Sequence, residues 1–253
     1  MAQDTRRPEP LKQRSREGVL AFWAGEMGVS VPELLIPVSG VRISIRAAIS
    51  GVLVFRRGDD VRIATADSNV ERLGENLPRE LGTDFCSPDL WRSVFPELCG
   101  SVTGPTRYCY LDAVPKAWPP PPASRKQVFV RGLAASDLKT YADFAMTLTR
   151  SERELSGLDA FGRQVWGVFS DGVLAAVAGY DAWPNRVAHI GVATHPDFRG
   201  RKFAQLAVQA ASRGAVARRR IVQFACLSAS VEAVAVASAL GFSLFAETLI
   251  TRP

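Results

Sequence analysis

Cysteine and histidine are scarce in this chain, with four of the first and two of the second among 253 residues. Cys86, Cys99, Cys109 and Cys226 show no close paired spacing, and His189 and His195 flank no cysteine pair. A structural zinc site is therefore not expected, and the thiols are expected to be reduced and mostly buried. Long apolar runs are missing too: no window approaches the roughly twenty residues that a membrane-spanning helix needs. The stretch Met1–Glu17 is polar and charged and lacks the apolar core of a secretory signal, which makes the cytoplasm the expected compartment and a membrane partner not expected.

What is present is an ordinary globular composition, with 47% apolar and 22% charged residues. The length suits two domains of modest size better than one. A net charge of +6 suits an anionic ligand, either a phosphorylated cofactor or a nucleic acid, and does not choose between them.

Composition shifts divide the chain into four parts. Residues 1–16 carry Arg6, Arg7, Lys12, Arg14 and Arg16 and read as a basic tail. Residues 17–117 read as a small α+β unit. In it, Val19, Leu20, Phe22 and Trp23 mark a helix, while Val52–Phe55 and Val61–Ala64 flank a Gly-Asp turn. A short helix is expected from Asp67 or Ser68 to Leu73, stopped by Gly74, and another from Pro88 to Phe95. A turn is expected at Gly104-Pro105, ahead of a strand at Tyr108–Leu111. No catalytic constellation stands out in this part. The Asp59-Asp60 pair lies in a hairpin turn, where carboxylates serve the turn itself. Pro119–Pro122 then exclude helix and favour a stiff spacer, so residues 118–126 read as a linker.

Residues 127–253 alternate between the two periodicities. Gln127–Arg131 reads as a strand, followed by a helix with Leu138, Tyr141, Ala142, Phe144 and Ala145 on one face. A second, polar helix contains Glu152, Glu154 and Leu155. Val165–Phe169 and Val173–Tyr180 flank Ser170-Asp171-Gly172, a strong hairpin signal. Arg186–Thr194 is a further strand, and His195–Ala204 a loop with basic residues. Phe203, Leu206, Ala207, Ala210 and Ala211 mark a helix face. Ile221–Leu227 reads as a buried strand. A helix with Ala233, Val236, Ala237 and Leu240 is stopped by Gly241, and Phe242–Ile250 is the last strand.

This order of strand, two helices, three strands, helix, strand, helix, strand resembles the GNAT superfamily of N-acetyltransferases. The local likeness is strongest from His195 to Ala204, where a strand ends and an Arg-x-x-Gly-x-Gly/Ala-type loop opens a helix. Ala239-Leu240-Gly241-Phe242 is similar to the family's Leu-Gly-Phe segment. The resemblance implies an α+β fold, with a mixed central sheet flanked by helices and preceded by a smaller α+β domain. It further implies acetyl-CoA as co-substrate, with its diphosphate at Arg199, Gly200, Arg201, Lys202, Phe203 and Ala204. The physics agrees, because a helix start offers free N–H groups and partial positive charge. Lys202 stands where the family usually has glycine. The backbone of Val192, Ala193 and Thr194 is implied to pair with the pantetheine arm and to polarise the thioester carbonyl.

The base that takes a proton from the amine is, in the family, a carboxylate on the strand before the signature, or water. That position falls near Ala188. His189 lies beside it and titrates in a useful range, so it is the candidate catalytic residue, against the alternative of a hydrogen-bonded strand-edge histidine. His195 sits where the family often has histidine without catalytic duty. Glu152, Glu154, Asp159 and Asp181 are candidate acceptor-binding carboxylates. The family's proton-donating tyrosine is replaced by Ala237, and Ser230 stands where asparagine is frequent. The expected function is acetyl transfer to an unidentified primary amine, on a small molecule or a protein. The alternative is a non-catalytic acyl-CoA-binding regulatory module. Nucleic-acid binding ranks behind both, because Arg218-Arg219-Arg220 suits a helix end and no nucleic-acid motif accompanies it.

Overall fold

The computed structural model describes residues 11–37, 40–80, 82–114, 128–157 and 164–253. The expected linker at 118–126 and the candidate Asp159 lie outside the described residues. The chain divides into two units, one built on Tyr110–Phe224 with Ala235–Ser243, the other on Gln13–Cys109 with Ala225–Val234 and Leu244–Pro253. The linear division expected from composition differs from this, because pairing rather than sequence order decides where the last strand goes.

In the second of these units, α1 (Gln13–Met27) buries Val19, Leu20, Phe22 and Trp23 as its periodicity predicts. Its first turn includes Gln13–Arg16, residues whose charge had suggested a tail. Strands β1 (Val41–Ile45), β3 (Asp60–Thr65), β2 (Val52–Arg57), β10 (Ser243–Arg252) and β4 (Ser101–Leu111) lie side by side in that order. The β2–β3 hairpin turns at Gly58, whose φ of 61° suits glycine. The pairing of β10 with β2, from Glu247↔Arg56 to Thr251↔Val52, is what places the chain's end here.

Two expectations fail locally. Helix α3 (Val70–Asn76) runs through Gly74, since Leu73 is fully buried and anchors it. Gly104-Pro105 is no turn but lies inside β4. A Cβ at Gly104 would stand 2.7 Å from the Thr248 carbonyl oxygen, so glycine there serves close approach to β10. The core under this sheet includes Trp91 of α4 (Pro88–Val94), fully buried with its indole N–H donating 2.8 Å to the Phe85 carbonyl.

From β5 onward the expected element order is found: β5 (Val128–Gly132), α5 (Leu138–Met146), α6 (Arg150–Ser156), β6 (Gln164–Ser170), β7 (Val173–Ala182), β8 (Val187–Thr194), α7 (Phe203–Ala217), β9 (Ile221–Leu227) and α8 (Val231–Ala239), then β10. The β6–β7 turn uses Asp171 at φ 51° and Gly172 at φ 81°, the left-handed pair that an Asp-Gly hairpin requires. Strands β5, β6, β7 and β8 are antiparallel neighbours, and β9 joins β8 in parallel. The sheet is therefore mixed, with helices packed on it, as the GNAT-like reading requires.

Alternation assigns the two faces. Val165, Val177 and Ala193 share a core with Tyr141 and Phe144 of α5. Trp166 lies on the opposite face, where α7 runs. A Cβ at Gly214 of α7 would come within 2.3 Å of the Trp166 ring, so this mid-helix glycine lets helix and sheet close up.

Candidate functional site

Two features of the β8–α7 region bear on chemistry, and both arise from backbone geometry. Pairing of β8 with β9 runs from Val187↔Ile221 to Ile190↔Phe224. Strand β8 continues to Thr194, paired on its other edge with β7 as far as Ala176↔Thr194. The His195 N–H donates to the Ala175 carbonyl across β7, at 2.9 Å. Backbone groups alternate sides along a strand, so the N–H and C=O of Ala193 also turn toward β7. Those of Val192 and Thr194 turn to the other edge, beyond the last described pair with β9. A stretch of strand edge that continues past its described pairing is a template for an extended ligand.

The second feature is the start of α7. Helix entry passes through Gly200 at φ 74° and Lys202 at φ 65°, both left-handed. Lys202 thus keeps the conformation that favours glycine, at a cost of about 1–2 kcal/mol for its Cβ. No side chain caps the helix at Lys202, and the first intrahelical bond runs from Leu206 N–H to the Lys202 carbonyl. The amides of Phe203, Ala204 and Gln205 precede that bond and point out of the helix start, which suits an anion. A Cβ at Gly200 would have no atom within 4 Å, so the approach to this backbone is open.

The basic side chains of the loop are differently engaged. Arg199 pairs with Glu152 at 2.6 Å, and Arg201 lies over the Phe198 ring, 5.3 Å from its centroid. Lys202 is exposed. Glu152 also accepts from the Thr149 N–H at 2.8 Å, and this backbone bond, ahead of Arg199, holds its carboxyl below the usual range. Glu152 therefore serves as a helix cap and as a strut to Arg199. Glu154 pairs with Arg150 on the surface.

His189 stands on the face of β8 that carries Ala193, while Ala188 is buried on the other face. Its cross-strand neighbours are Asp181 of β7 and Gln223 of β9. The imidazole Nδ1 lies 2.7 Å from the Gln223 side-chain oxygen. The Gln223 amide nitrogen donates to the Tyr110 hydroxyl at 2.6 Å. Gln223 and Tyr110 are fully buried. The Trp183 indole stacks on the imidazole, centroids 4.2 Å apart and planes 5° from parallel. Sequence reasoning singled out His189 but not Gln223, Tyr110 and Trp183, which the fold links to it. One signal was available: a lone glutamine inside the apolar run of β9.

His195, Ser230 and Ala237 are accounted for by local contacts or burial. His195 caps the turn at Pro196–Phe198, its Nδ1 accepting from the Asp197 N–H at 3.2 Å. Ser230 receives the Ala233 N–H at 3.4 Å, at the start of α8. Ala237 is buried and carries no ionisable group. Burial pushes the Cys226 thiol up, Cys109 to about 12 and Cys86 to about 11, the opposite of an activated nucleophile. Among the described residues no group of three or more His, Cys, Asp or Glu is placed to hold a metal ion. No helix among them is long and apolar enough to cross a membrane.

Residues 133–242 match the model of the acetyltransferase (GNAT) family, and this part of the chain is a GNAT-type domain. No curated protein matches the chain. Among solved structures, it is similar to a putative GNAT-family acetyltransferase from Novosphingobium aromaticivorans, at 24% identity and a TM-score of 0.45, over 60% of this chain and 65% of that one. It is also similar to the aminoglycoside N-acetyltransferase AAC(6')-Iy in complex with CoA, at 19% identity and a TM-score of 0.38, covering 49% and 92%. A third is yncA, a putative acetyltransferase from Salmonella typhimurium with its cofactor acetyl-CoA, at 14% identity and a TM-score of 0.34, covering 49% and 93%. The chain spans less than two thirds of the length of the Novosphingobium protein.

Proposed function

We propose that this protein transfers an acetyl group from acetyl-CoA to a primary amine by direct attack in a ternary complex. The observation that carries the reading is the adjacency of two binding elements. The β8 edge at Val192 and Thr194 lies beyond the last described pair with β9, and the uncapped start of α7 follows eight residues on. The first suits the amides and extended form of a pantetheine arm, the second a diphosphate. In this assignment Gly200 and Ala204 admit the ligand to the backbone, and the amides of Phe203 and Ala204 hold phosphate oxygens. Lys202 adds a point charge in place of the closer approach a glycine would give. Arg199 acts at one remove, fixing the loop through Glu152, and Arg201 contributes long-range positive charge.

The chemistry follows from the strand. An alkylammonium, with pKa near ~10.4, must lose a proton before it attacks. His189 accepts that proton. At a rise of about 3.3 Å per residue it stands roughly 10 Å from Val192, a span that the amine and one water bridge. Nitrogen then bonds to the carbonyl carbon, and the Val192 N–H stabilises the oxyanion as it forms. The carbon–sulfur bond breaks as the nitrogen gives its second proton to water, and the departing thiolate takes a proton from water, because Ala237 has none to give.

That missing donor favours one second reading, in which the domain binds acyl-CoA without turnover. Thiol release from acetyl-CoA with a panel of primary amines separates the two. Turnover that falls about 10²–10⁴-fold in His189→Ala supports the enzyme with His189 as its base. Binding of acetyl-CoA without turnover on any amine contradicts it.

A further inference from the structure

The row of side chains across β8 and β9 goes beyond assigning a base. A neutral imidazole has two tautomers, and only the nitrogen without a proton can accept one. Gln223 faces Nδ1 with its carbonyl oxygen, an acceptor that has no hydrogen of its own, at 2.7 Å. A contact of that length is a hydrogen bond only if Nδ1 carries the proton. We propose that Gln223 is a positioning residue that holds His189 as the Nδ1–H tautomer, leaving Nε2 as the basic nitrogen. The inference rests on the reading of His189 as the base.

Three features make the arrangement specific. Gln223 is fully buried in a strand whose neighbours Val222 and Phe224 are apolar and buried, where an amide costs stability unless both its ends are bonded. Its nitrogen end donates to the Tyr110 hydroxyl at 2.6 Å, so both ends of the amide are engaged. The ring itself is pinned by the flat stack with Trp183. The indole face and the amide oxygen together fix where the ring and its Nδ1 point. Tyr110 and Trp183 thus act through the ring's orientation. Asp181, the cross-strand neighbour on β7, faces the same row and stays constant in every variant below.

Nitrogen NMR of the imidazole tests this without knowledge of the acceptor. The chain has two histidines, so His195→Asn leaves His189 as the only signal. The wild-type ring is expected to show its proton on Nδ1 and none on Nε2. In Gln223→Met, which keeps length but removes both amide groups, the ring should turn to the Nε2–H form that free histidine prefers. Gln223→Glu should keep Nδ1 protonated and move the ring's titration upward by about one pH unit, as an added carboxylate does. An Nε2–H tautomer in the wild type overturns the inference even if Gln223→Met fails to fold, and does so whatever His189→Ala does to turnover. If the tautomer is as expected but His189→Ala turns over normally, the base reading fails instead.

Discussion

Replacing Lys202 by glycine separates the two things this residue does. Its backbone sits at φ 65°, where a Cβ costs about 1–2 kcal/mol. Glycine removes that cost but adds unfolded-state entropy worth about 0.4–1 kcal/mol. The net expectation is a gain of about 0.5–1 kcal/mol, or about 1–4 °C in melting temperature for a chain of this size. Lys202→Ala keeps the Cβ and loses the same charge, so it should melt with the wild type. Thermal unfolding of the three proteins, followed by circular dichroism, therefore isolates the backbone from the charge. Affinity should move the other way. Losing a charge-assisted contact weakens acetyl-CoA binding about tenfold in Lys202→Ala. In Lys202→Gly the loss is smaller, because the bare backbone can come closer to the diphosphate. Equal melting temperatures for the glycine and alanine variants would refute the left-handed entry to α7, and with it the account of why the family favours glycine there.

Gly214→Ala sets helix propensity, a gain of about 1 kcal/mol, against a Cβ placed within 2.3 Å of the Trp166 ring. Overpacking costs about 1–3 kcal/mol, so the variant should melt lower, and a higher melting temperature would show that α7 does not pack this closely. Trp91→Ala empties a fully buried site and should cost about 3–5 kcal/mol in urea unfolding; a loss under 1 kcal/mol would contradict the core described. Asp137 accepts from Arg131 at 2.6 and 2.7 Å and from the Ala134 N–H at 2.8 Å. The Arg131 guanidinium, then the amide, lowers its carboxyl from 3.8 to about 2. A depressed carboxylate stabilises the fold above its unfolded pKa and ceases to as pH falls through the folded one. The melting-temperature gap between wild type and Asp137→Asn should thus be open at pH 7 and close between about pH 4 and 2. A gap unchanged at pH 2 would count against the pair.

Elements whose signals are local were legible in the sequence. The hairpin at Asp171-Gly172 needs two left-handed residues and has them. Helix α7 runs over Phe203–Ala217, where the apolar spacing put it. What was not legible depends on partners distant in sequence. Gly104-Pro105 carries turn chemistry, yet the Thr248 carbonyl beside Gly104 makes it part of a strand. The last strand belongs with β2, almost two hundred positions earlier, through backbone pairing that leaves no mark on composition. At the candidate site, His189 was visible as a residue type at a suggestive spacing. The roles of Gln223 and Tyr110 exist only once β9 and β4 bring them within hydrogen-bond reach. Arg199 likewise matched a motif, and its engagement by Glu152 could not be read from the motif.

The central claim is that acetyl-CoA binds with its diphosphate on the opening amides of α7. Calorimetric titration of acetyl-CoA into the wild type and into Ala204→Leu tests it most directly. Ala204 is half-buried in the first turn of α7, outside the residues that this helix buries. The wild type should bind, and the variant, still melting within a few degrees of it, should bind at least tenfold more weakly. Equal affinity in the two proteins, or no binding in either, would contradict the claim.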